Sequence, residues 1–390
     1  MKLLFWVSFL FVLYTYIGYP LALTLLAYFR PKPIRKKEYS KLPRVSVVLA
    51  ALNEQDTIIP RLENLISLDY PAHCLEIIVV SDGSTDCTND LVIEFINIQK
   101  KERINHVAHA IEFIAHSPTR GKPYSINQGV RRASGEIIVF ADCRQKFEHQ
   151  AIRELVTNFT DPAIGCVSGE LYFAEDLGGQ INAEMGAYWT YEKYIRKRES
   201  RSGSVVGATG AIYAIRANLY MELPADTLLD DVLTPLNVVS QNLRVVFEES
   251  AKAFDTISKN LGVEWRRKVR TLAGNWQLLS LRPSLCVPSK NKIWWRFLSH
   301  KIFRLLVPYA LLCLLISSFC AGLGFYQILG CAQIFFYFFA ILGAIIPDTR
   351  RIRIVNLCYF FMVLNLAAVV GFWLWATGRL KNIWHRPRAR

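Results

Sequence analysis

The sequence predicts an α/β protein whose sheet is mostly parallel and whose ends are transmembrane α-helices. Three observations carry this reading. Short, almost wholly apolar runs alternate with amphipathic stretches across residues 44–280. Apolar residues, 52% of the chain, concentrate elsewhere, in blocks 3–29, 302–346 and 354–376. Basic residues gather where those blocks meet the middle of the chain.

Each apolar block contains about 20 residues almost free of charge, the length that crosses a bilayer. The first is too long and uninterrupted for a cleaved signal peptide and reads as a signal anchor. Within the middle region, "VSVVLA" (45–50) is a β-branched strand, followed by a helical pattern over 54–67. "LEIIVV" (75–80) is a second strand, and "TND" (88–90) opens the helix after it. "IEFIA" (111–115) and a helix at 123–132 come next, then "EIIVFA" (136–141) and a helix near 149–158. Fully apolar strands separated by amphipathic helices imply a parallel sheet covered on both faces. The expected divisions are an N-terminal transmembrane helix (1–29), a globular domain (44–280) and an amphipathic interfacial segment (281–301). About three C-terminal transmembrane helices (302–378) and a basic tail (379–390) complete the chain.

The excess of 46 basic over 32 acidic residues does not mark a nucleic-acid binder. Arg30, Lys32, Arg35, Lys36, Lys37 and Lys41 directly follow the first span, and residues 264–304 hold ten Lys or Arg against Glu264 alone. Basic residues beside spans mark the cytoplasmic side and the anionic lipid surface. The expectation is a multi-pass protein of the plasma membrane (the inner membrane in a bacterium) with its central domain in the cytoplasm. The nine cysteines have no zinc-ligand spacing, and a reducing compartment argues against disulfides. If 302–323 and 325–346 both span, Arg350, Arg351 and Arg353 fall inside, and the last block would carry "KNIWHRPRAR" outside, against the positive-inside bias. A re-entrant C-terminal segment is the alternative.

In parallel sheets ligands bind beyond the carboxyl ends of the strands. Those positions hold Glu54 in "ALNE", Asp82 in "SDGSTD", Lys122 in "RGK" and Asp142 in "FADCR". Singly they are weak signals: Asp-Gly-Ser is a turn formula, and Lys122 beside Pro123 can simply open a helix. Four ionisable groups on one edge point to a crevice.

This ordered set resembles the family 2 glycosyltransferases, in particular their membrane-embedded, cellulose-synthase-like branch. The matching pieces are "VVLAALNE" (47–54), "VVSDGSTD" (79–86), "RGKPYSINQGVRRASGEIIVFAD" (120–142), "VSGEL" (167–171), "ESRSGSVVGATGAIYAIR" (199–216), "LLDDVLTPL" (228–236) and "EWRRKVRTLAGNWQLL" (264–279). The resemblance implies a GT-A fold, Rossmann-like with a mostly parallel sheet, over 44–280. It also implies a nucleoside-diphosphate sugar donor, inversion at the anomeric carbon, and hexosyl or N-acetylhexosaminyl transfer.

Carried onto this chain, the resemblance assigns Glu54 and Asp82 to the base and ribose, where acceptor-only carboxylates suit N–H and hydroxyl donors. Lys122 stands where the family keeps a lysine near the phosphates. Asp142 matches the first acid of the Asp-x-Asp metal motif, and Mg²⁺ or Mn²⁺ can be held by one carboxylate, substrate phosphates and water. The second acid is replaced by Arg144, which cannot ligate a cation. Pointing inward, its guanidinium would clamp the diphosphate; turned outward, it leaves the metal to Asp142, the expectation adopted. In "LLDDVL", Asp231 takes the place of the catalytic base and Asp230 that of its partner, with helix N-capping as the plain structural alternative. "RRKVR" (266–270) aligns with Gln-x-x-Arg-Trp: Arg267 takes the glutamine place, Arg270 the arginine place, and Thr271 that of the acceptor-stacking tryptophan. Trp265 or Trp276 could supply that ring; alternatively the segment is a basic interfacial helix. "GATGAIYAIR" (207–216) matches the acceptor side and equally reads as a glycine turn before a core strand.

The first functional expectation is a UDP-sugar-dependent transferase that extends a polysaccharide, with membrane lipids around it and accessory export or assembly subunits as partners. Single transfer to a polyprenyl phosphate or other lipid is the second. A non-catalytic nucleotide-binding subunit is the third.

Overall fold

The structure is a computed structural model that describes residues 1–102, 109–173, 183–255, 261–322 and 324–380. The tail sequence "KNIWHRPRAR" (381–390) lies outside the described residues. The chain enters through helix α1 (Lys2–Phe29), which widens into a π-turn at Tyr14–Gly18. Strands β1 (Val45–Ala51), β2 (Leu75–Asp82), β3 (Ala110–His116) and β4 (Ile137–Ala141) form the parallel half of the sheet, in the order 3-2-1-4. Successive residues of β1 point to opposite faces: Val45, Val47 and Leu49 join one core cluster, and Val48 joins another with Ile138 and Phe140. Burial on both faces explains why these strands read as unbroken apolar runs.

The first face is covered by α2 (Ile58–Ile66), α3 (Thr88–Glu102) and α5 (Ala151–Thr157), through Leu62, Leu65, Val92, Phe95 and Leu155. The second is covered by α4 (Lys122–Arg132) and α7 (Asp230–Ser240), through Ile126, Leu233 and Leu236. Gly129 lets α4 approach the sheet; a Cβ there would lie 2.5 Å from Val48 Cγ1.

The sheet continues past β4 as β7, β6, β8 and β5, eight strands in all. Here β5 is Lys146–Phe147, β6 Ile164–Phe173, β7 Ile212–Arg216 and β8 Arg244–Asp255. β7 runs antiparallel to both β4 and β6, while β6 and β8 are parallel. The motif "GATGAIYAIR" thus ends in a core strand.

Helices α6 (Ala183–Ser202) and α8 (Leu261–Leu281) link this domain to the apolar helices α9 (Trp294–Cys320), α10 (Phe325–Ile345) and α11 (Arg353–Ala376). α1, α9, α10 and α11 are each long and apolar enough to cross a membrane. α9 begins at Trp294, inside the segment expected to be interfacial. Its polar residues do not end the helix, because Arg296 donates to the Glu199 and Ser204 carbonyls and His300 sits between Glu192 and Glu199.

α11 lies along α8. Gly371 approaches the Ala273 backbone, Trp375 stacks on Trp276 with centroids 5.6 Å apart, and Trp375 Nε1 donates to Ser280 Oγ at 3.0 Å. Ala368 belongs to the core cluster of the second sheet face, with Phe372, Trp375 and Leu380 packed against it. The C-terminal end of α11 therefore rests on the globular domain.

Candidate active site

The carboxyl ends of β1, β2 and β4 lie side by side on one edge of the sheet, and the residues just beyond them are ordered by short-range bonds. After β1, Asn53 adopts φ +54°, a conformation asparagine tolerates, and its Oδ1 accepts from the Thr85 amide at 2.8 Å. This turns Glu54 inward, with its amide on Thr88 Oγ1 and its carboxylate accepting from Thr57 Oγ1 at 2.7 Å. After β2, Asp82 is buried and accepts from the Arg120 and Gly121 amides at 2.7 and 2.8 Å. Asp82 therefore holds the loop leading to α4, where Gly121 takes φ +95° and Lys122 begins the helix.

Lys122 is the centre of the site. Its Nζ lies 2.9 Å from Asp142 Oδ1, at the end of β4, and 3.5 Å from Asp230 Oδ2, at the start of α7. Burial works against the charge on Lys122, yet Asp142 and Asp230 hold its ammonium well above the usual lysine range. Burial likewise opposes ionisation of Asp142, but Lys122, then Arg270 and Arg144, keep its carboxyl below the usual range. Asp230 Oδ2 and the Tyr213 hydroxyl, whose ionisation the Asp230 charge disfavours, are buried and make no hydrogen bond among the described residues.

Asp231 differs from its neighbour. The N-cap of α7 is Leu229, which makes no side-chain cap bond, so neither aspartate caps the helix. Successive helical side chains diverge by about 100°. Asp230 goes toward Lys122, while Asp231 lies against the Thr209–Gly210 turn, where a Cβ on Gly210 would be 3.1 Å from its Oδ2. Burial and then Asp230 push the Asp231 carboxyl up to about 6, against the opposing pull of Lys122, Lys301 and Arg196.

Arg144 does not point at the Asp142 carboxylate. Its Nη2 pairs with the buried Asp255 at the end of β8, 2.6 Å away, and Gln145 donates to the same oxygen. Arg267 pairs with Glu264 at 2.7 Å; burial and then Arg144 lower its guanidinium below the usual range. Arg270, one turn further on α8, is exposed and contributes to the field that keeps Asp142 ionised. Trp276 is buried against Trp375 and Phe372, so it offers no open ring to an acceptor.

The structure thus brings together Lys122, Asp142 and Asp230, with Asp231, Arg144 and Arg270 close enough to act on their charges. Glu54 and Asp82 lie at neighbouring strand ends, and Arg267 beside Arg144. Asp255, Glu264 and Tyr213 were missed in the sequence. Asp255 was within reach of the strand-end rule, had "RVVFEESAKAFD" been read as a strand.

Among the described residues no three His, Cys, Asp or Glu side chains form a ready metal cage. The donor set suits a hard cation only through Asp142, whose side chain is 37% exposed, and Asp230 Oδ2, which shares the Lys122 ammonium with it, with ligand oxygens completing the shell.

Residues 46–223 match the family model described as glycosyl transferase family 2. The chain is 23% identical over 248 residues to a poly-β-1,6-N-acetyl-D-glucosamine synthase of Staphylococcus epidermidis, covering 63% of this chain and 57% of the relative. It is 24% identical over 243 residues to the enzyme of the same name from Staphylococcus aureus MSSA476, covering 61% and 56%. The aligned segment spans little more than half the length of these relatives. A mannosyltransferase from Pyrobaculum calidifontis, PcManGT, solved in complex with GDP-Man and Mn²⁺, superposes with a TM-score of 0.71 at 19% identity, over 96% of this chain and 99% of that one. That likeness establishes the fold. Residues 46–223 thus match glycosyl transferase family 2, on a mostly parallel sheet of the GT-A type.

Proposed function

We propose that this chain is an inverting, membrane-bound glycosyltransferase that moves a sugar from a nucleoside-diphosphate sugar, of the UDP class, to a growing polysaccharide. One observation carries the reading: a half-buried lysine shared by two aspartates at the carboxyl edge of the parallel strands, beside a third aspartate whose carboxyl is raised into the range of a general base. The likeness to polysaccharide synthases and the four apolar helices support the acceptor class and the membrane.

Lys122 and Arg270 face the leaving diphosphate, where their charges offset the negative charge that develops as its bond to the anomeric carbon breaks. Asp231 takes the proton of the acceptor hydroxyl as that oxygen bonds to the anomeric carbon from the opposite face. Glu54 and Asp82 border the base and ribose. Asp142, with Arg144 turned away to Asp255, would hold Mg²⁺ or Mn²⁺ together with diphosphate oxygens. Bound there, the cation would supply further neutralisation of the leaving group. The basic flank at residues 30–41 supports a cytoplasmic domain at the plasma membrane.

The test is a panel of UDP-sugars supplied to the full chain in nanodiscs, with UDP release and product size as readouts. A ladder of saccharides is expected. A single glycolipid would redirect the reading to lipid transfer. Neither hydrolysis nor transfer with any donor would leave a nucleotide-binding subunit.

A further inference from the structure

Two of the apolar helices widen where they meet each other. α1 carries its π-turn at Tyr14–Gly18 and α9 has one at Leu298–Ile302, and the hydroxyls of Tyr14 and Ser299 join the two turns at 2.8 Å. π-turns are rare inside α-helices and gather at functional sites. His300 lies in the second. Its Nδ1 is 2.8 Å from Glu199 Oε1 and its Nε2 is 3.0 Å from Glu192 Oε2, both acids on α6. A neutral imidazole has one N–H and one lone pair, so it can donate to only one of these carboxylates; a ring with a proton on each nitrogen donates to both. Arg304 also pairs with Glu192, which leaves the His300 ring as the cation bonded to the fully buried carboxylate of Glu199. Tyr19 of α1 donates to the same Glu199 oxygen at 2.5 Å, and Arg296 of α9 donates to the Glu199 and Ser204 carbonyls. α1, α6 and α9 therefore meet at Glu199.

The other oxygen of Glu199 leads to the active site. Oε2 accepts from the Val206 amide at 3.4 Å; two residues on, the Ala208 amide donates to the Asp231 carbonyl at 2.8 Å, and Gly210 lies against the Asp231 carboxylate. One turn before Glu199 on α6, Arg196 donates to the Thr209 hydroxyl of the same 206–210 turn. Both connections start from α6, and His300 joins α6 to the apolar helices. We propose that His300, as an imidazolium, is a positioning residue for sugar transfer: it locks α1 and α9 onto Glu199 and so fixes the turn that holds Asp231. This rests on the reading of Asp231 as the acceptor-side base. Removing the ring charge leaves Glu199 buried without its bonded cation, a costly state that is relieved when water enters and the turn loosens. Lys122 and Asp142 on α4 and β4 keep their places.

The experiment compares His300→Gln, Tyr19→Phe and the double variant His300→Gln with Glu199→Gln, each as the full chain in nanodiscs. The readouts are UDP-sugar turnover, calorimetric UDP binding, and amide hydrogen exchange over residues 205–212. His300→Gln should lower kcat about 10- to 100-fold, the scale of a small misplacement of a reacting group, with donor KM and UDP affinity unchanged. Exchange at 205–212 should quicken about tenfold, while residues 120–126 exchange as in wild type. The double variant removes the acid together with the cation and should recover most of the lost turnover and protection. Tyr19→Phe frees Glu199 from α1 without changing charge and should show the same pattern more weakly; it decides the matter if His300→Gln does not fold. Wild-type kcat and exchange in the folded variants would overturn the proposal. So would UDP affinity falling in step with kcat, which marks a general scaffold role, or a double variant no better than His300→Gln, which removes the charge from the argument. Asp231→Asn separates the two readings: full transfer by that variant removes the base assignment but leaves the exchange result standing.

Discussion

Replacing Asp231 by Asn keeps the size of the side chain and removes only its capacity to take a proton. Asp230 cannot substitute, because it diverges by about 100° on the helix and its carboxylate lies 3.5 Å from the Lys122 ammonium. The expected loss in turnover is about 10²- to 10⁴-fold, or roughly 3–5 kcal/mol of transition-state stabilisation. The pH profile gives an independent reading. A base works only when deprotonated, and the raised Asp231 carboxyl holds its proton up to about pH 6. Wild-type kcat/KM should therefore climb tenfold per pH unit below that value and level off above it. The Asn variant should lack this limb. The assay is UDP release in nanodiscs with the best UDP-sugar of the panel, alongside calorimetric UDP binding, which the substitution should leave unchanged. Turnover within a few-fold of wild type, or an unchanged acidic limb in the variant, refutes the base.

Lys122→Ala leaves Asp142 and Asp230 facing each other without their shared cation; UDP affinity should fall about 10- to 100-fold. The variant's deficit in thermal stability should be larger at pH 8 than at pH 5, because acid protonates the exposed pair; a pH-independent deficit would count against the arrangement. Arg144→Ala uncovers the buried Asp255, whose side chain is 2% exposed against 35% for the arginine; discounted for that exposure, the melting experiment should show a loss of about 1–3 kcal/mol. Turnover of both wild type and this variant should stop in EDTA and return with Mn²⁺, and unchanged turnover after thorough chelation removes the metal from Asp142. A cysteine at Thr377 should react with impermeant maleimide from the same side as the globular domain, since Trp375 bonds Ser280; labelling only from the opposite side contradicts the docking of α11. Gly371→Val would place a Cβ 2.9 Å from the Ala273 nitrogen, displacing α8 and lowering kcat about tenfold with Lys122-dependent UDP binding intact; wild-type kinetics would show that α11 does not position Arg270.

The parallel half of the sheet was legible because burial on both faces leaves a simple trace, an unbroken apolar run such as "IIVFA". In the other half only β7, within "GATGAIYAIR", leaves such a trace. β6 carries Gly165 and Gly169, and at Gly169 a Cβ would lie 2.6 Å from the Ala251 carbonyl; the strand needs the glycine for close approach, yet glycine in a sequence suggests a turn. β8 is interrupted by the charged pair Glu248 and Glu249, where a buried run gives way to two exposed residues, and it pairs with β6 through a register shift. The site follows the same division. Lys122 and Asp142 could be placed from strand ends, whereas the orientation of Arg144 depends on Asp255, 111 residues away. Trp276 could be read as an open ring because only the fold reveals that Trp375 covers it.

The apolar helices are part of the same problem as the site. α7 supplies Asp230 and Asp231 from the second face of the sheet, and the core cluster behind it continues through Trp276 and Leu278 of α8 into Phe297, Leu305 and Ala368 of the apolar helices. The helix carrying Arg270 is therefore held between the sheet and a helix long and apolar enough to cross a membrane, and α6, carrying Arg196, is pinned to α1 by Tyr191 on Tyr16 and Tyr19 on Glu199. Close-packed interiors transmit displacement rather than absorb it. The groups on β4 and α4 are anchored in the globular core, while Arg270 and Arg196 take their positions from the apolar helices. Perturbing those helices should consequently act on the transfer step before it acts on nucleotide binding.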